Sequence, residues 1–557
     1  MKKIIKKAIS MVLLLAMVLS VTACSKDINT SNSSSSDTAT TTKTDTASSD
    51  TEGKEEVAVA EEKDYSEHYT YSMASVQVNE ATDYNGDEFT KWWQDKYNFE
   101  WDVQSLSFDN WEENVRIWVS SGDLPDVTVF NYRHGEMLNY IDQNLVFRFP
   151  DGWEQRWPNV AAANELSGLG GAVAKKVGGT YFLARPNYAD NKPTKKDIGN
   201  MIVYIRKDWA QAIGFELKNA YTVDEILEYA RLLKEKDPGK LGDKLIPIGA
   251  SSSNCRAIFV GSNSTYTGDD SYFYLGEDGN YHWGPADEST YTGLSYWKQA
   301  YQEDLLHPEF YTYSGSEDVE DFYIAGVSGL MWYQGNPRYI QMVDTNMKEN
   351  LGLTFEEAVW PCYITDSDNV YHEAPRTNFF GTIIFNPDID MDKWERYMDM
   401  LEYSCTEEGQ LFIRMGFEGI DWKYDETNTI VTLLEEGQEA RSKYPSIYPI
   451  YHQLLILSDD FGLINPNYME VYRNKCIELY KDKENHSTDA SALPQMDWDT
   501  YFYSSDAKNA LSFDFKTEYA TLITSEDDIR TAWEAWVKNY EHLINPVLEE
   551  MKNNIQR

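Results

Sequence analysis

The sequence predicts an α/β protein built from two domains or lobes. Segments with the apolar pattern of strands alternate with amphipathic helices, an order typical of sheets covered by helices. We find no internal repeat. About 490 of the 557 residues have a globular composition, which is more than one hydrophobic core usually holds.

The first elements are a strand, a helix and a second strand. They are "HYTYSMASVQ", "DEFTKWWQDKYN" and "FEWDVQSLS". A further helix follows, for which Asn110 and Glu113 form an N-terminal capping pair. Its apolar face consists of Trp111, Val115, Trp118 and Val119, and it ends at Ser120-Ser121-Gly122, where glycine can adopt the left-handed conformation. After Pro125, "DVTVF" has the apolar character of a short strand.

Similar patterns recur in "MIVYIRKDWAQAIGF" and "TVDEILEYARLLKEKDP". In the second segment, Thr222 and Glu225 form a capping box. The apolar face behind it consists of Val223, Ile226, Leu227, Ala230 and Leu233. "FYLGEDGNYHW" is typical of a β-hairpin with Asp278-Gly279 at its turn. "MDKWERYMDMLEY" places Trp394, Tyr397, Met398 and Leu401 on one helix face.

The first 23 residues have the pattern of a secretory signal. Four lysines, Lys2, Lys3, Lys6 and Lys7, precede an apolar stretch over 8–19, which is too short for a bilayer that requires about 20 residues. Val21-Thr22-Ala23-Cys24 resembles the lipobox of bacterial lipoproteins, in which Cys24 becomes the lipidated first residue. The alternative is a chance cysteine behind an ordinary signal. We predict a lipoprotein signal peptide over 1–23 and stable membrane binding through acylated (palmitate-type) Cys24.

Residues 24–64 are predicted to form a disordered tether. The segment is rich in serine and threonine and has almost nothing to bury. A flexible chain of about 40 residues has a reach of roughly 35 Å. The folded part is therefore expected at the extracellular face of the cytoplasmic membrane.

The net charge of −43 argues against some classes of partner. Removing the four signal lysines makes it about −47, whereas nucleic acid and anionic lipid surfaces require basic proteins. The remaining cysteines, Cys255, Cys362, Cys405 and Cys476, show no C-x-x-C pair and no metal-finger spacing. They could form one disulfide or remain free thiols.

Aromatic residues are abundant, with 17 Trp, 39 Tyr and 22 Phe. Many of them must belong to the core. Sugar-binding grooves also use aromatic rings, because flat sugar faces stack on them. The composition therefore leaves room for a carbohydrate-binding groove.

Five sequence blocks resemble the extracellular solute-binding proteins (family 1 type) that serve carbohydrate ABC importers, in particular the longer, lipid-anchored members from Gram-positive bacteria. The blocks, in order, are "WVSSGDLPDVTVF", "YIRKDWAQAIGFELKNAYTVDEILEYARLLKEKDP", "EDFYIAGVSGLMWYQGNPRYI", "TNFFGTIIFNP" and "EEGQLFIRMGFEGIDW". The resemblance implies a two-lobed periplasmic-binding-protein-like (type II) fold with a hinge and an interlobe cleft. It also implies an oligosaccharide ligand, permease subunits as partners, a monomer, and neither a cofactor nor catalysis.

The same resemblance gives approximate lobe limits. Lobe 1 is expected to span 65–205 plus 376–420, and lobe 2 to span 206–375 plus 421–557. Ligand is expected to select the closed form by contacting both lobes.

Candidate ligand-binding residues lie at strand ends. Asn131, Tyr132 and Arg133 follow the strand after Pro125, and open α/β sheets bind ligands outside the carboxyl ends of their strands. An ordinary polar turn is the alternative. Of Trp332 and Tyr333, one is expected to face the cleft and the other the core, because neighbours on a strand point to opposite faces.

Further candidates flank the predicted hinge. They are Arg185, Tyr188, Trp360, Arg376, Phe379 and Trp422. The first two would hydrogen-bond sugar hydroxyls and Trp422 would cover a sugar face, whereas loop or core positions are the alternatives. Asp126 is expected to order its turn, and Asp208 to cap the helix that begins at Trp209. The acidic total disfavours polyanionic ligands, but Arg133, Arg185 and Arg376 could reverse this locally.

Relatives often carry a calcium-binding acidic loop after the threonine-capped helix. The matching segment here is Asp237-Pro238-Gly239-Lys240-Leu241-Gly242-Asp243-Lys244. Lysines and a leucine stand where calcium requires oxygen ligands. We therefore predict no metal in this loop.

An exported glycoside hydrolase is the competing class, and a surface peptide receptor or adhesin is another. A chain with 92 acidic residues will contain carboxylate pairs at hydrolytic spacing by chance. There is no H-E-x-x-H, G-x-S-x-G or Walker loop. Ser505-Asp506-Ala507-Lys508 matches S-x-x-K, but its companion motifs are absent from the sequence.

Overall fold

The computed structural model describes residues 63–76, 78–79, 81–106, 111–130, 136–186, 201–267, 272–313, 316–375, 378–435, 438–452, 459–492, 496–511 and 513–555. The predicted signal peptide, Cys24 and nearly all of the predicted tether lie outside these ranges, as do Asn110, Asn131, Tyr132, Arg133, Tyr188 and Arg376. Within the described ranges, no helix combines the length and the apolar character that crossing a bilayer requires.

The strands are β1 (Tyr69–Val76), β2 (Phe99–Leu106), β3 (Val127–Phe130), β4 (Leu183–Pro186), β5 (Met201–Arg206), β6 (Ala220–Thr222), β7 (Phe273–Leu275), β8 (Tyr281–Trp283), β9 (Leu330–Gln334), β10 (Val359–Thr365), β11 (Phe379–Phe385), β12 (Trp422–Tyr424) and β13 (Ile430–Thr432).

The α-helices are α1 (Glu88–Tyr97), α2 (Trp111–Ser121), α3 (Glu136–Asp142), α4 (Trp153–Arg156), α5 (Pro158–Glu165), α6 (Leu169–Val177), α7 (Lys207–Ile213), α8 (Val223–Lys236), α9 (Ser252–Cys255), α10 (Glu288–Gln302), α11 (Ser316–Ile324), α12 (Pro337–Leu351), α13 (Phe355–Ala358), α14 (Met391–Ser404), α15 (Glu407–Met415), α16 (Ala440–Lys443), α17 (Glu470–Asn485), α18 (Trp498–Tyr501), α19 (Asp506–Asn509), α20 (Phe515–Thr524) and α21 (Ile529–Asn554). Short 3-10 turns cover Gly242–Lys244, Gly284–Ala286, Phe310–Thr312 and Asp459–Leu463, and π-helical turns cover Arg256–Gly261 and Ile447–Tyr451.

The first sheet has the strand order β2-β1-β3-β11-β4. β1 is parallel to β2 and β3, whereas β11 is antiparallel to β3 and β4. The carboxyl ends of β1 to β4 therefore lie at the same edge, together with the beginning of β11. Asp126 accepts hydrogen bonds from Ser72 (backbone N–H, 2.7 Å; hydroxyl, 2.8 Å) and Lys393 (2.6 Å), so it ties β1 to the turn before β3 as expected.

The second sheet has the order β6-β10-β5-β9. β5 is antiparallel to both β9 and β10, and β6 is parallel to β10. Residues 246–249 continue this sheet beside β9 through parallel bridges from Ile246 to Ser328 and from Gly249 to Met331. β9 and the segment 246–249 therefore run toward the same edge.

Each sheet has its own apolar core. On the first sheet, the predicted face of α14 is fully buried, and the ring centroid of Trp394 lies 5.1 Å from Phe149 and 5.2 Å from Trp157. The second sheet is covered on both faces, by α8 and α10 in one core and by α12 and α17 in the other. Burial on both faces explains why β5 is an almost continuous apolar run.

Several local predictions are confirmed. The capping box of Thr222 and Glu225 begins α8, and Gly279, with φ of 76°, lies in the hairpin turn between β7 and β8. The prediction that Asp208 caps α7 is wrong. Arg206 is the N-cap residue of α7, and the Asp208 carboxylate instead pairs with the Arg206 guanidinium at 2.6 and 2.9 Å.

The cysteines in the described ranges, Cys255, Cys362, Cys405 and Cys476, are free thiols. The predicted lobe limits remain a prediction. β5 begins at Met201 and pairs only in the second sheet, although the predicted limit lies at 205. Residues 440–451, which the prediction assigns to lobe 2, pack with the core of the first sheet.

Candidate ligand-binding cleft

The carboxyl edge of the first sheet is joined to one edge of the second sheet by two chain connections. β4 ends at Pro186 and leads to Met201, the first residue of β5, while β10 ends at Thr365 and leads back to Phe379, the first residue of β11. Met201 pairs with Gln334, so the end of β9 lies at the same edge. Strand ends from both sheets thus converge at the crossing segments, which is where open α/β folds bind ligands.

A further connection follows His452. Ile447, Ile450 and Tyr451 pack in the core of the first sheet, whereas Leu463 packs in a core of the second. The chain therefore passes between the lobes here as well. His452 is the last described residue before this passage.

Two predicted site residues lie together at the edge of the first sheet. Phe379 pairs with Pro186, which follows Arg185 on β4. Phe379 is buried, and Arg185 is half-buried and donates a hydrogen bond to the backbone carbonyl of His452. Arg185 therefore contacts the start of the third connection between the lobes.

Trp332 and Tyr333 lie at the end of β9 and are both half-buried. Trp332 packs against the core that contains α8 and α10, and Tyr333 packs against the core that contains α12 and α17. The ring centroid of Tyr333 lies 5.5 Å from that of Tyr339. The two rings point to opposite faces of the sheet, as alternation requires, and which of them meets a ligand remains a prediction.

Trp360 lies at the opposite edge of the second sheet. It pairs with Ile205, near the far end of β5, and its indole N–H donates to the carbonyl of Lys218 at 2.8 Å. The Lys475 ammonium lies 4.1 Å from its ring centroid. The segments that connect the two sheets leave from the other edge. Trp360 therefore does not lie beside the strand ends that form the candidate cleft.

Trp422 has a structural role. It is 5% exposed, packs against Leu411 and Met415, and donates its indole N–H to the carbonyl of Gly416 at 2.9 Å. A ring enclosed in this way has no free face for a sugar. We therefore leave Trp422 and Trp360 out of the candidate site.

A group of charged and aromatic side chains lies at the hinge, and of its members the sequence predicted only Arg185. We call it the hinge corner, and it consists of Arg185, Arg338, Arg441, Tyr448 and His452. The Tyr448 ring centroid lies 5.8 Å from the guanidinium carbon of Arg338 and 5.3 Å from that of Arg441. It also lies 5.8 Å from the His452 ring. The one sequence signal was the Asn336 cap with Pro337 behind it, which sets Arg338 in the first turn of α12.

The electrostatics of the hinge corner are dominated by cations. Burial, followed by the positive charges of Arg414, Arg441 and Arg185, holds the pKa of His452 well below its usual value. Its imidazole is therefore neutral at physiological pH, and its buried Nε2 has no hydrogen-bond partner in the described part of the chain. The carboxylate of Glu439 pairs with Arg441 at 2.6 Å.

A pocket of about 400 Å³ opens in the second lobe. Hydroxyl side chains contribute much of its lining, among them Ser252, Ser253, Tyr311, Thr517 and Thr521. Ser252 begins α9, shortly after the segment 246–249 that runs parallel to β9. The pocket therefore lies on the side of the second sheet at which β9 ends.

The Asp237 loop is closed by backbone hydrogen bonds. The Asp237 carboxylate accepts from the N–H groups of Leu241 and Gly242, both at 2.9 Å. In the described ranges, no group of three or more His, Cys, Asp or Glu side chains is arranged to hold a metal ion. The behaviour of this loop toward calcium remains a prediction.

No protein-family model matches the chain. Among curated proteins, it is similar to a polygalacturonan/rhamnogalacturonan-binding protein of Bacillus subtilis, with 24% identity over 132 residues. That match covers 24% of this chain and 24% of the relative, so it extends over about a quarter of the relative's length.

Solved structures are similar over most of the chain. FusA of Streptococcus pneumoniae, an ABC-transporter substrate-binding protein solved as an EF-hand mutant with fructo-nystose, aligns with a TM-score of 0.64 at 15% identity, covering 87% of this chain and 98% of FusA. An HMO-binding solute-binding protein of Bifidobacterium longum infantis gives 0.64 at 13% identity, with coverage of 87% and 98%. The alginate-binding protein AlgQ2 gives 0.62 at 15% identity, with coverage of 88% and 99%. The chain thus has the two-lobed α/β fold of ABC-transporter solute-binding proteins.

Proposed function

We propose that the chain is the extracellular substrate-binding component of an ABC importer and that it captures an oligosaccharide between its two lobes. The observation that carries the proposal is the convergence of strand ends from both sheets, in a fold shared with FusA and with the HMO-binding protein. A ligand held at that point contacts both lobes and therefore stabilises a closed form. The permease subunits would receive the ligand from this form.

The side chains near the converging edges suit a sugar ligand. Aromatic rings such as Trp332 or Tyr333 offer a flat apolar face, and Arg185 offers hydrogen-bond donors to hydroxyl groups. Phe379 pairs with Pro186, the neighbour of Arg185, at the edge of the first sheet. The proposed set also includes Asn131, Tyr132, Arg133, Tyr188 and Arg376.

Binding without catalysis is the favoured activity. Proteins with this fold among the similar structures are named as binding proteins, including FusA and AlgQ2. Acidic polysaccharides occur among the ligands in these names, namely alginate and, for the Bacillus subtilis relative, polygalacturonan. The oligosaccharides to be tested therefore include both neutral and acidic types.

The test is a thermal-shift screen of the mature protein against fructo-, milk, plant and algal oligosaccharides. A ligand at one hundred times its Kd should stabilise the native state by about 2.7 kcal/mol. The same mixtures are then analysed by chromatography. Released products would favour a glycoside hydrolase, and stabilisation by peptides alone would favour a peptide receptor.

Membrane attachment through Cys24 is a separate part of the proposal. Cys24→Ala should abolish lipidation, so that the protein no longer partitions with membranes. Cys405→Ala is the matched control, because it also removes one cysteine but leaves the lipobox intact. If the Cys24 variant still sediments with salt-washed membranes, the anchor proposal fails.

A further inference from the structure

The hinge corner brings positive charge from both lobes to one tyrosine ring. Arg338 belongs to α12 of the second lobe. Arg441 and Tyr448 lie in the segment 440–451, whose residues Ala440, Ile447 and Tyr451 belong to the core of the first sheet. Both guanidinium groups lie within 5.8 Å of the Tyr448 ring centroid. An arginine over an aromatic ring presents its N–H groups sideways, where they can meet an anion.

Among the side chains that the structure describes in the corner, carboxylates are fewer than cations. The Glu439 carboxylate is shared between Arg441, at 2.6 Å, and the hydroxyl of Tyr468, at 3.0 Å. Arg338 makes no ion pair or hydrogen bond with any residue that the structure describes, and its guanidinium contacts only the rings of Tyr339 and Tyr448. Its charge is therefore not neutralised by the described chain.

The Nε2 of His452, which has no hydrogen-bond partner among the described residues, is a second, independent sign of an incomplete polar site. Buried polar atoms are nearly always hydrogen-bonded in native proteins, so an exception requires an explanation. This atom lies beside Tyr448 at the passage between the lobes. A neutral imidazole can supply one hydrogen bond to a ligand that enters the corner when the hinge moves.

We infer that the hinge corner recognises a carboxylate group of an acidic oligosaccharide, with Arg338 as the main cation and Tyr448 as the platform for the sugar ring. The inference rests on the proposed function and narrows its substrate class to uronic-acid-containing sugars. A guanidinium group matches a carboxylate with two parallel hydrogen bonds, which a neutral sugar cannot provide. Because Arg338 and Tyr448 belong to different lobes, such a ligand would also favour closure.

The large negative net charge does not oppose this inference. Charges on the outer surface are screened over a Debye length of about 8 Å at physiological salt. A carboxylate in the corner would lie within direct contact distance of Arg338 and close to Arg441 and Arg185. The local cations therefore outweigh the distant surface carboxylates.

Calorimetry with matched sugar pairs tests the inference. The probes are galacturonate trimer against galactotriose, mannuronate trimer against mannotriose, and glucuronate-substituted against unsubstituted xylo-oligosaccharide. In at least one pair, the acidic member should bind the mature protein about tenfold or more tightly than its neutral counterpart. If the neutral members bind equally well or better, the inference is overturned while the proposed function stands. If no sugar in either class binds, both are overturned.

Variants then locate the effect. Arg338→Gln should remove most of the acidic preference, about tenfold, whereas Arg338→Lys should retain part of it. Arg530→Gln is the control for net charge. The guanidinium carbon of Arg530 also lies over a tyrosine ring, 3.4 Å from the Tyr291 centroid, but this residue belongs to α21 and pairs with Glu288 at 2.7 Å. An equal loss in Arg530→Gln would show that net charge, and not the hinge corner, sets the preference, and would overturn the inference.

Discussion

Asp421 and the hinge corner both hold charge inside the protein, but their charges are satisfied differently. Asp421 is fully buried and accepts hydrogen bonds from the Phe417 N–H at 2.8 Å, the Lys443 ammonium at 2.5 Å and the Tyr444 hydroxyl at 2.9 Å. Its single negative charge is therefore fully satisfied by neighbouring donors. In the hinge corner, by contrast, Arg338 has only aromatic partners among the described residues.

The difference separates charges that hold the fold from charges that remain available to a ligand. A buried carboxylate with three donors is costly to remove, because its partners lose their acceptor. A half-buried cation stacked on rings contributes little to folding and keeps its N–H groups free. We therefore expect that substituting Asp421 lowers the stability of the fold, whereas substituting Arg338 lowers the affinity for the ligand and changes stability little.

The largest expected effect is on the Asp421 site. Asp421→Ala should lower the free energy of unfolding by about 3 kcal/mol, because it removes the buried partner of Lys443 and Tyr444. Urea denaturation monitored by tryptophan fluorescence measures the change. Lys423→Ala, an exposed position two residues away, should change stability by less than about 0.5 kcal/mol. A loss below about 1 kcal/mol for Asp421→Ala would show that this carboxylate is not structural.

The two aromatic residues at the end of β9 provide a test of ligand affinity that does not involve charge. Trp332→Ala or Tyr333→Ala should cost about 1–3 kcal/mol of oligosaccharide affinity, as expected for the loss of a well-packed aromatic contact. The melting temperature without ligand should barely change for the residue that faces the cleft. If both variants instead destabilise the free protein by several kcal/mol, both rings belong to the core and the cleft lies elsewhere.

His452 gives the hinge corner a distinct pH dependence. Its folded pKa lies well below the value of about 6.5 in the unfolded chain, so acid favours the unfolded state, in which the imidazole can be protonated. The contribution of His452 to stability is complete above pH 6.5 and decreases as the pH falls. The loss should therefore be larger at pH 5.5 than at pH 7.5. Comparison of wild type with His452→Gln by urea denaturation at pH 7.5 and 5.5 isolates this term, and equal pH dependence in both would contradict it.

Local structure could be predicted because its causes are local in sequence. The capping box at Thr222 and the buried face of α14 follow from residues three or four positions apart. The ends of strands were less predictable. Trp360 was expected beside the hinge and lies on β10, but the sequence does not tell which end of a strand meets the cleft. Only its pairing with Ile205 reveals that it lies at the far edge.

The candidate site depends on contacts between distant segments, which explains why sequence reasoning missed part of it. Arg338 and Tyr448 have no unusual local pattern, and their proximity arises only when α12 packs beside the segment before His452. The prediction that Trp422 covers a sugar face was wrong for a related reason. Its indole is enclosed by Leu411 and Met415 of α15, so a ring that follows a glycine-rich loop is part of a core.

The smallest expected effect completes the comparison. Arg338→Gln should lower the free energy of unfolding by only about 0.5 kcal/mol, since the variant loses a partly exposed cation–π contact and breaks no ion pair of the described chain. Its effect should instead appear in the binding of acidic sugars. Urea denaturation of this variant beside Asp421→Ala measures the contrast directly. A loss comparable to that of Asp421→Ala would mean that Arg338 holds the hinge together, and the division between structural and ligand-directed charge would then fail.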